Sequence, residues 1–201
     1  DVDVTVQIII NPQPVTGIPT AAIFCENDLI ANSPLDLFGQ LSGNELGGTW
    51  ADDNSTGALT GSNVDITGLA VGSYNFTYSI TTLDGCSNSS TVVITIEPAP
   101  ESGNALAPIE ICEEDTIANS PFDLFTLLDG TQDTNGTWYV GADTSGATIT
   151  NPIDISGFAD GTYDYTYSVP AIGSCTDVDV TVQIIINPQP VTGIPTAAIF
   201  C

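Results

Sequence analysis

Four residue types are missing from this chain of 201 residues: it contains no lysine, no arginine, no histidine and no methionine. Because it has 25 acidic residues and no basic ones, its formal net charge is −25. Nucleic acids and anionic membrane surfaces repel such a chain, since binding to either depends on basic side chains. The charge instead favours cationic partners, above all Ca²⁺, which prefers carboxylate and carbonyl oxygens.

The same absences exclude most catalytic chemistry. Without histidine, no Ser-His or Cys-His pair can form, and without lysine there is no Schiff base. Without arginine there is no bidentate clamp for phosphate. No apolar run has the length of a transmembrane helix, yet apolar residues make up 42% of the chain, more than acidic disordered tails contain. We therefore expect a folded protein that is not an enzyme and that inserts no part of this segment into a membrane.

The two ends of the chain have the same sequence. Residues 1–25 and residues 177–201 both read DVDVTVQIIINPQPVTGIPTAAIFC. A run of this length does not recur by chance, so we interpret the chain as a window slightly wider than one period of a tandem array. Arrays of small repeats build length or present surfaces rather than catalyse reactions. The neighbouring repeats are therefore the first expected partners.

A weaker internal repeat divides the period into two related halves. Residues 25–38 match residues 112–125, and the sequence GTW occurs at 48–50 and again at 136–138. Pro-rich segments separate the halves and are expected to be stiff connectors. The predicted organisation is the last strand and linker of a preceding repeat (1–19), a first domain (20–97), a linker (98–108), a second domain (109–187), and the linker and first strand of the next repeat (188–201).

Alternation of apolar and polar residues predicts an all-β fold. Residues 2–10 and 74–80 both show this period of two, bounded by glycine, asparagine and proline, as expected for half-buried strands. Six to eight short strands fit in each domain, which predicts tandem Ig-like β-sandwiches arranged like beads on a string. Tyr74 and Tyr163 follow a glycine by two residues and are expected to bond the backbone near a sheet corner.

Five cysteines are present: Cys25, Cys86, Cys112, Cys175 and Cys201. Cys201 is the repeat copy of Cys25, which explains the odd count. We expect one disulfide within each domain, Cys25–Cys86 and Cys112–Cys175, each stabilising its domain by roughly 4 kcal/mol. Reduced buried thiols are the alternative, and metal binding is disfavoured because no Cys-x₂-Cys pair occurs. Disulfides imply an oxidising, extracellular location.

Two acidic loops are the candidate Ca²⁺ sites. The first contains Asp52 and Asp53, and the second contains Asp129 and Asp133, each with glycine nearby. The second loop is not an EF-hand, since Thr131 stands where that motif requires an aspartate or asparagine. Solvated turns are the alternative interpretation of both loops.

Two tryptophans occur in matching contexts, Trp50 and Trp138. Either could be a stacking platform for a sugar, but their position at a strand start after Gly-Thr favours packing in the core. A glycan-binding surface would then depend on other aromatic residues, such as Tyr139.

The ordered set Cys…Asp-Leu-Phe…Gly-Thr-Trp…Gly-x-Tyr…Cys…Val-x-Ile-x-Ile, present in both halves, resembles the SprB-type repeats of giant gliding-motility adhesins of the Bacteroidota. The resemblance covers nearly the whole chain. It implies export by the type IX system, anchoring at the outer surface of the cell, and a long filament moved along it. Residues 115–117 would match the O-glycosylation pattern of that phylum, with the sugar on Thr116.

Three functions remain open at this point. The first is a structural stalk of a cell-surface adhesin, built from stiffly joined repeats. The second is a self-assembled extracellular filament of separate subunits, in which the strand within residues 1–10 completes the sheet of a neighbour. The third is a glycan-binding module of a secreted protein.

Overall fold

The computed structural model describes residues 3–191 and residue 193. Most of the predicted segment 188–201, including Cys201, lies outside the described residues. The chain divides into two compact units. Unit 1 contains the residues up to Ala99 together with Ile172–Cys175, and unit 2 contains the remainder.

Unit 1 is built from short strands around one long hairpin. Its strands are β1 (Ile18–Pro19), β2 (Ala22–Cys25), β3 (Leu35–Asp36), β4 (Leu41–Ser42), β5 (Thr49–Asp52), β6 (Leu59–Thr60), β7 (Asn63–Val64), β8 (Gly72–Thr81) and β9 (Ser87–Glu97). One sheet has the order β2-β9-β8-β5 and a second has the order β3-β7-β6, while β1 pairs with β4. Strand β2 runs parallel to β9, and the other pairs are antiparallel.

The two sheets of unit 1 enclose one apolar core. Alternate residues of the β8–β9 hairpin, among them Phe76 and Ile94, are fully buried. Val64 of β7 and Leu37 reach the same core from the other sheet and the loop before it. The period of two thus places apolar side chains on one face of each long strand, as the sequence predicts.

Unit 2 repeats this arrangement with five described strands. They are β10 (Ile109–Cys112), β11 (Thr137–Val140), β12 (Thr148–Ile149), β13 (Gly161–Val169) and β14 (Val178–Asn187). They form a sheet of order β10-β14-β13-β11-β12, in which β10 runs parallel to β14. An isolated bridge between Phe122 and Ile153 stands where unit 1 has its second sheet, and both residues belong to the core.

Short helical turns join the strands. The α-helix Leu29–Asn32 is a single turn, and the 3₁₀ turns are Glu26–Asp28, Leu37–Gln40, Ile66–Gly68, Glu113–Asp115 and Leu124–Leu127. Asp36 and Asp123 cap matching turns by accepting a hydrogen bond from the backbone N–H two residues later. Within the described residues, no helix has the length and apolarity needed to cross a membrane.

The predicted all-β, Ig-like sandwich class is confirmed. The structural tyrosines also behave as predicted, since the hydroxyl of Tyr74 donates to the carbonyl of Ala70 at 2.9 Å and that of Tyr163 to the carbonyl of Ala159 at 3.1 Å. Apart from the one-turn helix and the 3₁₀ turns, the regular structure of the described residues is β-strand. The fold therefore presents strand ends, turns and connecting segments as the places where function can reside.

Candidate functional site

A disulfide joins Cys25 to Cys175, with 4.8 Å between their Cα atoms. Both cysteines belong to unit 1, because this unit takes the loop Ile172–Cys175, which lies between β13 and β14 in the sequence. The two side chains are buried and pack with Ala99 in a small cluster of their own. The bond closes a loop of 150 residues in the chain.

This pairing corrects the predicted pairs Cys25–Cys86 and Cys112–Cys175. Cys25 is aligned with Glu97 at the last residue of β9, whereas Cys86 immediately precedes the first residue of that strand. The length of β9 therefore separates them by about 30 Å, whereas a disulfide requires Cα atoms roughly 4.4 to 6.8 Å apart. Cys112 and Cys175 lie at opposite ends of β14 in the same way.

Hydrogen bonds fix the loop that carries Cys175. The carboxylate of Glu97 accepts hydrogen bonds from the backbone N–H of Ser174 at 2.7 Å and from its hydroxyl at 3.2 Å. The carboxylate of Glu26 accepts from the N–H of Ala99 at 2.9 Å. The Sγ atom of Cys175 lies 3.3 Å from the carbonyl oxygen of Pro98. Sequence reasoning considered Glu97 only as a possible calcium ligand and missed its contact with Ser174, since nothing in the residue pattern brings two positions 77 residues apart together.

Among the described residues, Cys86 and Cys112 are free thiols. Cys86 is partly exposed, and its Sγ atom lies 3.9 Å from the carbonyl oxygen of Asn11. Its N–H donates to the hydroxyl of Thr82 at 3.1 Å. Cys112 is exposed at the end of β10, where its register partner is Asn187 of β14. Cys86 thus precedes the last strand β9, as Cys175 precedes the last strand β14. Cys112 ends the first strand β10, as Cys25 ends the first strand β2.

The segment 13–20, here called the N-terminal joint segment, is bound along unit 1. The N–H of Glu45 donates to the carbonyl of Val15 at 2.8 Å, and the N–H of Val15 donates back to the carboxylate of Glu45 at 3.2 Å. Thr16 is buried and shares a hydrogen bond of 2.7 Å with Ser90. Strand β1 then pairs with β4. This segment was predicted to belong mainly to a linker, and the structure shows what holds it.

The segment 101–106, here called the central joint segment, is bound to unit 2 in the same way. The N–H of Asp133 donates to the carbonyl of Glu101 at 2.8 Å, and the N–H of Glu101 donates to the carboxylate of Asp133 at 3.0 Å. The amide group of Asn104 donates to Asp129 at 2.7 Å. Ser102 is buried, as is the matching residue of the N-terminal joint segment.

A glycine follows the buried hydroxyl residue in both joint segments. Gly17 has φ of 86° and Gly103 has φ of 78°, a left-handed conformation that residues with a Cβ rarely adopt. At Gly17 an added Cβ would also lie 2.9 Å from the Cβ of Asn44. The pattern Thr/Ser-Gly before a short apolar strand was the available sequence signal for these segments.

The first predicted Ca²⁺ loop uses its carboxylates internally. Asp52 accepts hydrogen bonds from the hydroxyl of Thr56 at 2.8 Å and from the N–H of Gly57 at 2.9 Å. Burial alone would raise the pKa of Asp52, but these hydrogen bonds outweigh it and lower the pKa. Asp53 accepts from the hydroxyl of Thr77 at 2.6 Å. Both hydrogen bonds to Asp52 are accepted by Oδ2, and its Oδ1 is buried without a hydrogen-bond partner in the described part of the chain.

The second predicted loop also uses its carboxylates internally. Asp129 accepts hydrogen bonds from Asn104 and Thr131, and these lower the pKa of its carboxyl well below the usual range. The carboxylate of Asp133 accepts from the N–H of Glu101. In the described part of the chain, no three His, Cys, Asp or Glu side chains are grouped as a metal site requires. At least one oxygen of each of the four carboxylates is hydrogen-bonded within its unit, and the calcium sites at both loops stay predictions.

The predicted glycosylation site is also inaccessible in the folded unit. Thr116 is 2% exposed. Its hydroxyl donates to the carbonyl of Glu113 at 2.9 Å and accepts from the N–H of Gly157 at 3.4 Å. A buried hydroxyl engaged on both sides cannot receive a sugar without local unfolding, so glycosylation of Thr116 stays a prediction that requires addition of the sugar before the unit folds.

The two matching tryptophans differ in exposure. Trp138 is 3% exposed within the core of unit 2, as predicted. Trp50 packs against Phe38 and Tyr78 but is only partly buried. It lines an open groove of about 560 Å³ together with Phe38, Leu59 and Ser62. Two aromatic residues of unit 1, Trp50 and Phe38, thus border an open groove.

Comparison with known proteins leaves the family open. The chain matches no family profile and no curated protein sequence. Among solved structures, it is similar to domains EC1-2 of human mucin-like protocadherin, at 16% identity over 89% of this chain and 100% of that one, with a TM-score of 0.39.

Two bacterial structures are also similar to the chain. One is the surface glycan-binding protein SGBP-B of the Bacteroides ovatus mixed-linkage glucan utilization locus, crystallised with a heptasaccharide, at 16% identity over 68% of this chain with a TM-score of 0.23. The other is a SusE-like surface-located polysaccharide-binding protein from the heparin utilisation locus of Bacteroides thetaiotaomicron, at 13% identity over 86% of this chain with a TM-score of 0.28. The chain spans about a third of the length of these two proteins.

Proposed function

We propose that this chain is a segment of a non-enzymatic structural stalk, part of a repetitive extracellular adhesin that supports surface attachment and gliding. The observation that carries the proposal is that both joint segments are hydrogen-bonded parts of folded units. Thr16 and Ser102 are buried, and the Val15–Glu45 and Glu101–Asp133 pairs bond in both directions. A connector bound to the unit that follows it leaves fewer residues free to bend between domains than an unbound connector does.

The disulfide and the charge agree with this role. A disulfide persists in an oxidising environment outside the cytosol, which fits an exported surface protein. A net charge of −25 keeps neighbouring fibres apart by mutual repulsion. The SprB-type resemblance adds the type IX export route, the anchoring at the outer membrane and the link to gliding as parts of the same proposal.

Imaging of the native protein tests the stalk directly. We expect electron micrographs of material sheared from the producing cells to show a thin beaded fibre with a repeat of two domains. On a reducing, denaturing gel the protein should run as one giant chain. Compact particles, or a band of one period's mass, would contradict a covalent stalk.

Strand donation between separate subunits is a second candidate, favoured by one observation. The apolar residues of segment 3–10, such as Ile8, are exposed, although the same sequence forms β14 in unit 2. A sheet that lacks its last strand could bind this segment by β-augmentation. Fibres that fall apart in denaturant without reduction, into chains of one period, would favour this candidate over the covalent stalk.

Glycan binding is a third candidate, favoured by the groove beside Trp50. Sugars stack on exposed aromatic faces, and polar groups such as the Ser62 hydroxyl could orient them. A glycan array with the intact chain tests it, with Ser62→Trp filling the groove and Tyr139→Ala as the control in unit 2. Loss of a signal only in Ser62→Trp would support the groove, and an array with no signal would remove this candidate.

A further inference from the structure

We propose that Cys112 of each period forms a disulfide with the copy of Cys86 in the next period. The disulfide between Cys25 and Cys175 would then be one of two kinds that alternate along the array. The inference rests on the proposed function, in which the chain is one period of a covalent array. It commits to one partner for the two free thiols: a further copy of this same sequence.

The bonded pair defines the geometry. Cys25 ends the first strand of its sheet, and its register partner is Glu97, the last residue of β9. Cys175, which precedes β14, has its Sγ atom 4.0 Å from the carbonyl oxygen of the same Glu97. Both cysteines therefore meet at the end of β9. Cys25 lies there as the last residue of a first strand, and Cys175 reaches the same place from the loop that precedes a last strand.

Cys86 has the same kind of neighbour. It precedes β9, and its Sγ atom lies 3.9 Å from the carbonyl oxygen of Asn11. Asn11 is the repeat copy of Asn187, and Asn187 is the register partner of Cys112. If the Cys112 of the preceding period occupies the register position beside Asn11, its side chain lies next to Cys86. This is the arrangement in which Cys25 lies next to Cys175.

The state of the two thiols agrees with this assignment. Within the described residues neither Cys86 nor Cys112 has a disulfide partner, and neither belongs to a group of three metal-ligating side chains. Cys112 is exposed at the strand end. The homologous cysteines in the other half of the period are bonded, so two free thiols at matching positions are explained if their partners lie in the adjacent periods.

The bond forms by oxidation of two thiols. The Sγ atoms of Cys112 and the Cys86 copy join, and together they give up two protons and two electrons. A thiol–disulfide oxidoreductase of the export pathway accepts them, so that its own disulfide is reduced to a dithiol. No other co-reactant is needed.

The two kinds of disulfide would give the array two separate covalent routes. One route passes from Cys25 to Cys175 through the disulfide and then along 26 residues to Cys201, the copy of Cys25. The other passes along the 26 residues from Cys86 to Cys112 and then through the proposed disulfide. Either route limits the stretched length of a period to about 90 Å, against about 600 Å for 176 residues without disulfides, at about 3.4 Å per residue.

Peptide mapping tests the bond itself. The chain is extended by one period, with residues 26–201 repeated after Cys201, and its monomeric fraction is digested without reduction by a protease that cuts after glutamate. Trypsin is of no use, since lysine and arginine are absent. We expect a cross-link between the peptides of Cys112 and Cys86 in the extended chain, and none in the 201-residue chain or in extended Cys112→Ser. The Cys25–Cys175 cross-link in the same digest reports correct folding; if it is present while the Cys112–Cys86 cross-link is absent, the proposal is wrong. Each extended chain keeps one unbonded Cys112, that of its last period, which iodoacetamide alkylates in either case.

Pulling on a chain of several periods tests the second route. With Cys25 replaced by serine at every copy, the first route is gone, and only the proposed bonds can shorten the stretched chain. We expect about 90 Å per period, unchanged from wild type, and an increase of about sevenfold when Cys112→Ser is added. A sevenfold increase in the Cys25→Ser chain alone would overturn the proposal.

The two proposals fail separately. A native beaded fibre whose digest lacks the Cys86–Cys112 cross-link would remove this inference and leave the stalk in place. A cross-linked extended chain from a protein that forms no fibre in its producing cells would remove the stalk and leave the cross-link.

Discussion

Residues 3–11 and 179–187 have the same sequence and different structures. In unit 2 the segment lies within β14, paired with β13 and β10, and Val182, Ile184 and Ile186 are at most 2% exposed. The first copy forms no strand, and its Ile8 is 83% exposed. The difference shows that alternation of apolar residues makes a segment able to be a strand, while hydrogen-bonding partners and a core to cover make it one.

Hydrogen exchange should show the largest difference between the copies. The two segments have the same intrinsic exchange rates because their sequences are identical. We expect the central amides of β14 to exchange at least a thousandfold more slowly than those of residues 4–10, since exchange there requires opening of the sheet. NMR measures this, because it resolves two copies that have the same peptide masses. Equal rates in both copies would contradict the comparison.

Removal of one buried side chain gives the next largest effect. We expect Ile184→Ala to lower the free energy of unfolding of unit 2 by about 2 to 5 kcal/mol, because it leaves a cavity in the core. The matched control is Ile8→Ala, the same change in the same local sequence, which should cost less than about 0.5 kcal/mol. Denaturant titrations compare the two, and a similar loss from both substitutions would mean that segment 3–11 has a partner of its own.

Adding the strands that precede this sequence in unit 2 should make segment 3–11 fold as a buried strand. Residues 100–176 placed before residue 1 restore the strands that precede this sequence in unit 2. We expect the amides of residues 4–10 to become protected and Ile8→Ala to become destabilising by about 2 to 5 kcal/mol, as at Ile184. If the added residues fold and segment 3–11 stays unprotected, the identical sequence is not sufficient to rebuild β14.

A surface hydrogen bond gives a smaller effect. Gln183 donates from its side-chain amide to Asp164 at 2.8 Å on the exposed face of β14 and β13. We expect Gln183→Ala to cost about 0.5 to 1 kcal/mol and Gln7→Ala to change nothing, as measured by thermal unfolding of both variants. An equal shift in both would show that the contact is not the source of the cost.

A fall in pH should give the smallest difference between the two copies of the segment. The hydrogen bonds from Ser120 and Ser156 lower the pKa of Asp154 to about 2 from its ordinary 3.8. Because the pKa in the folded state is the lower one, the stabilisation is complete above about pH 4 and is lost as the pH falls toward 2. We expect exchange protection of β14 to fall over this range, with rates in segment 3–11 following the intrinsic pH dependence. Ser120→Ala should raise the pKa of Asp154 in an NMR titration; an unchanged pKa would contradict the assigned cause.

Local sequence pattern was enough to predict the β-fold and not enough to predict which cysteines form the disulfide. The period of two in residues 74–80 correctly predicts half of the long hairpin, because side chains alternate along any strand. The other strand of that hairpin, β9, runs from Ser87 to Glu97, and its length is what keeps Cys86 away from Cys25. The pairing with Cys175 depends on a loop 150 residues away, which no local pattern reports.

The acidic loops show the same limit. Asp129 lies in a loop and Asp52 is the last residue of β5, and carboxylates at such positions also accept hydrogen bonds from the backbone and hydroxyl groups beside them. The structure shows these bonds formed and leaves Oδ1 of Asp52 buried without a partner, and the sequence reported neither. Thr116 follows the same rule: its sequence context suggested modification, and only its burial shows that the hydroxyl is occupied.

Composition and periodicity are properties of the chain alone, and they were enough to predict repeated acidic β-domains that lack lysine, arginine and histidine. Tertiary structure decided which cysteines meet, which carboxylates are hydrogen-bonded, and which copy of an identical segment becomes a strand. These outcomes depend on distances between residues far apart in the chain, because hydrogen bonds, burial and disulfides form only between groups that the completed fold brings together.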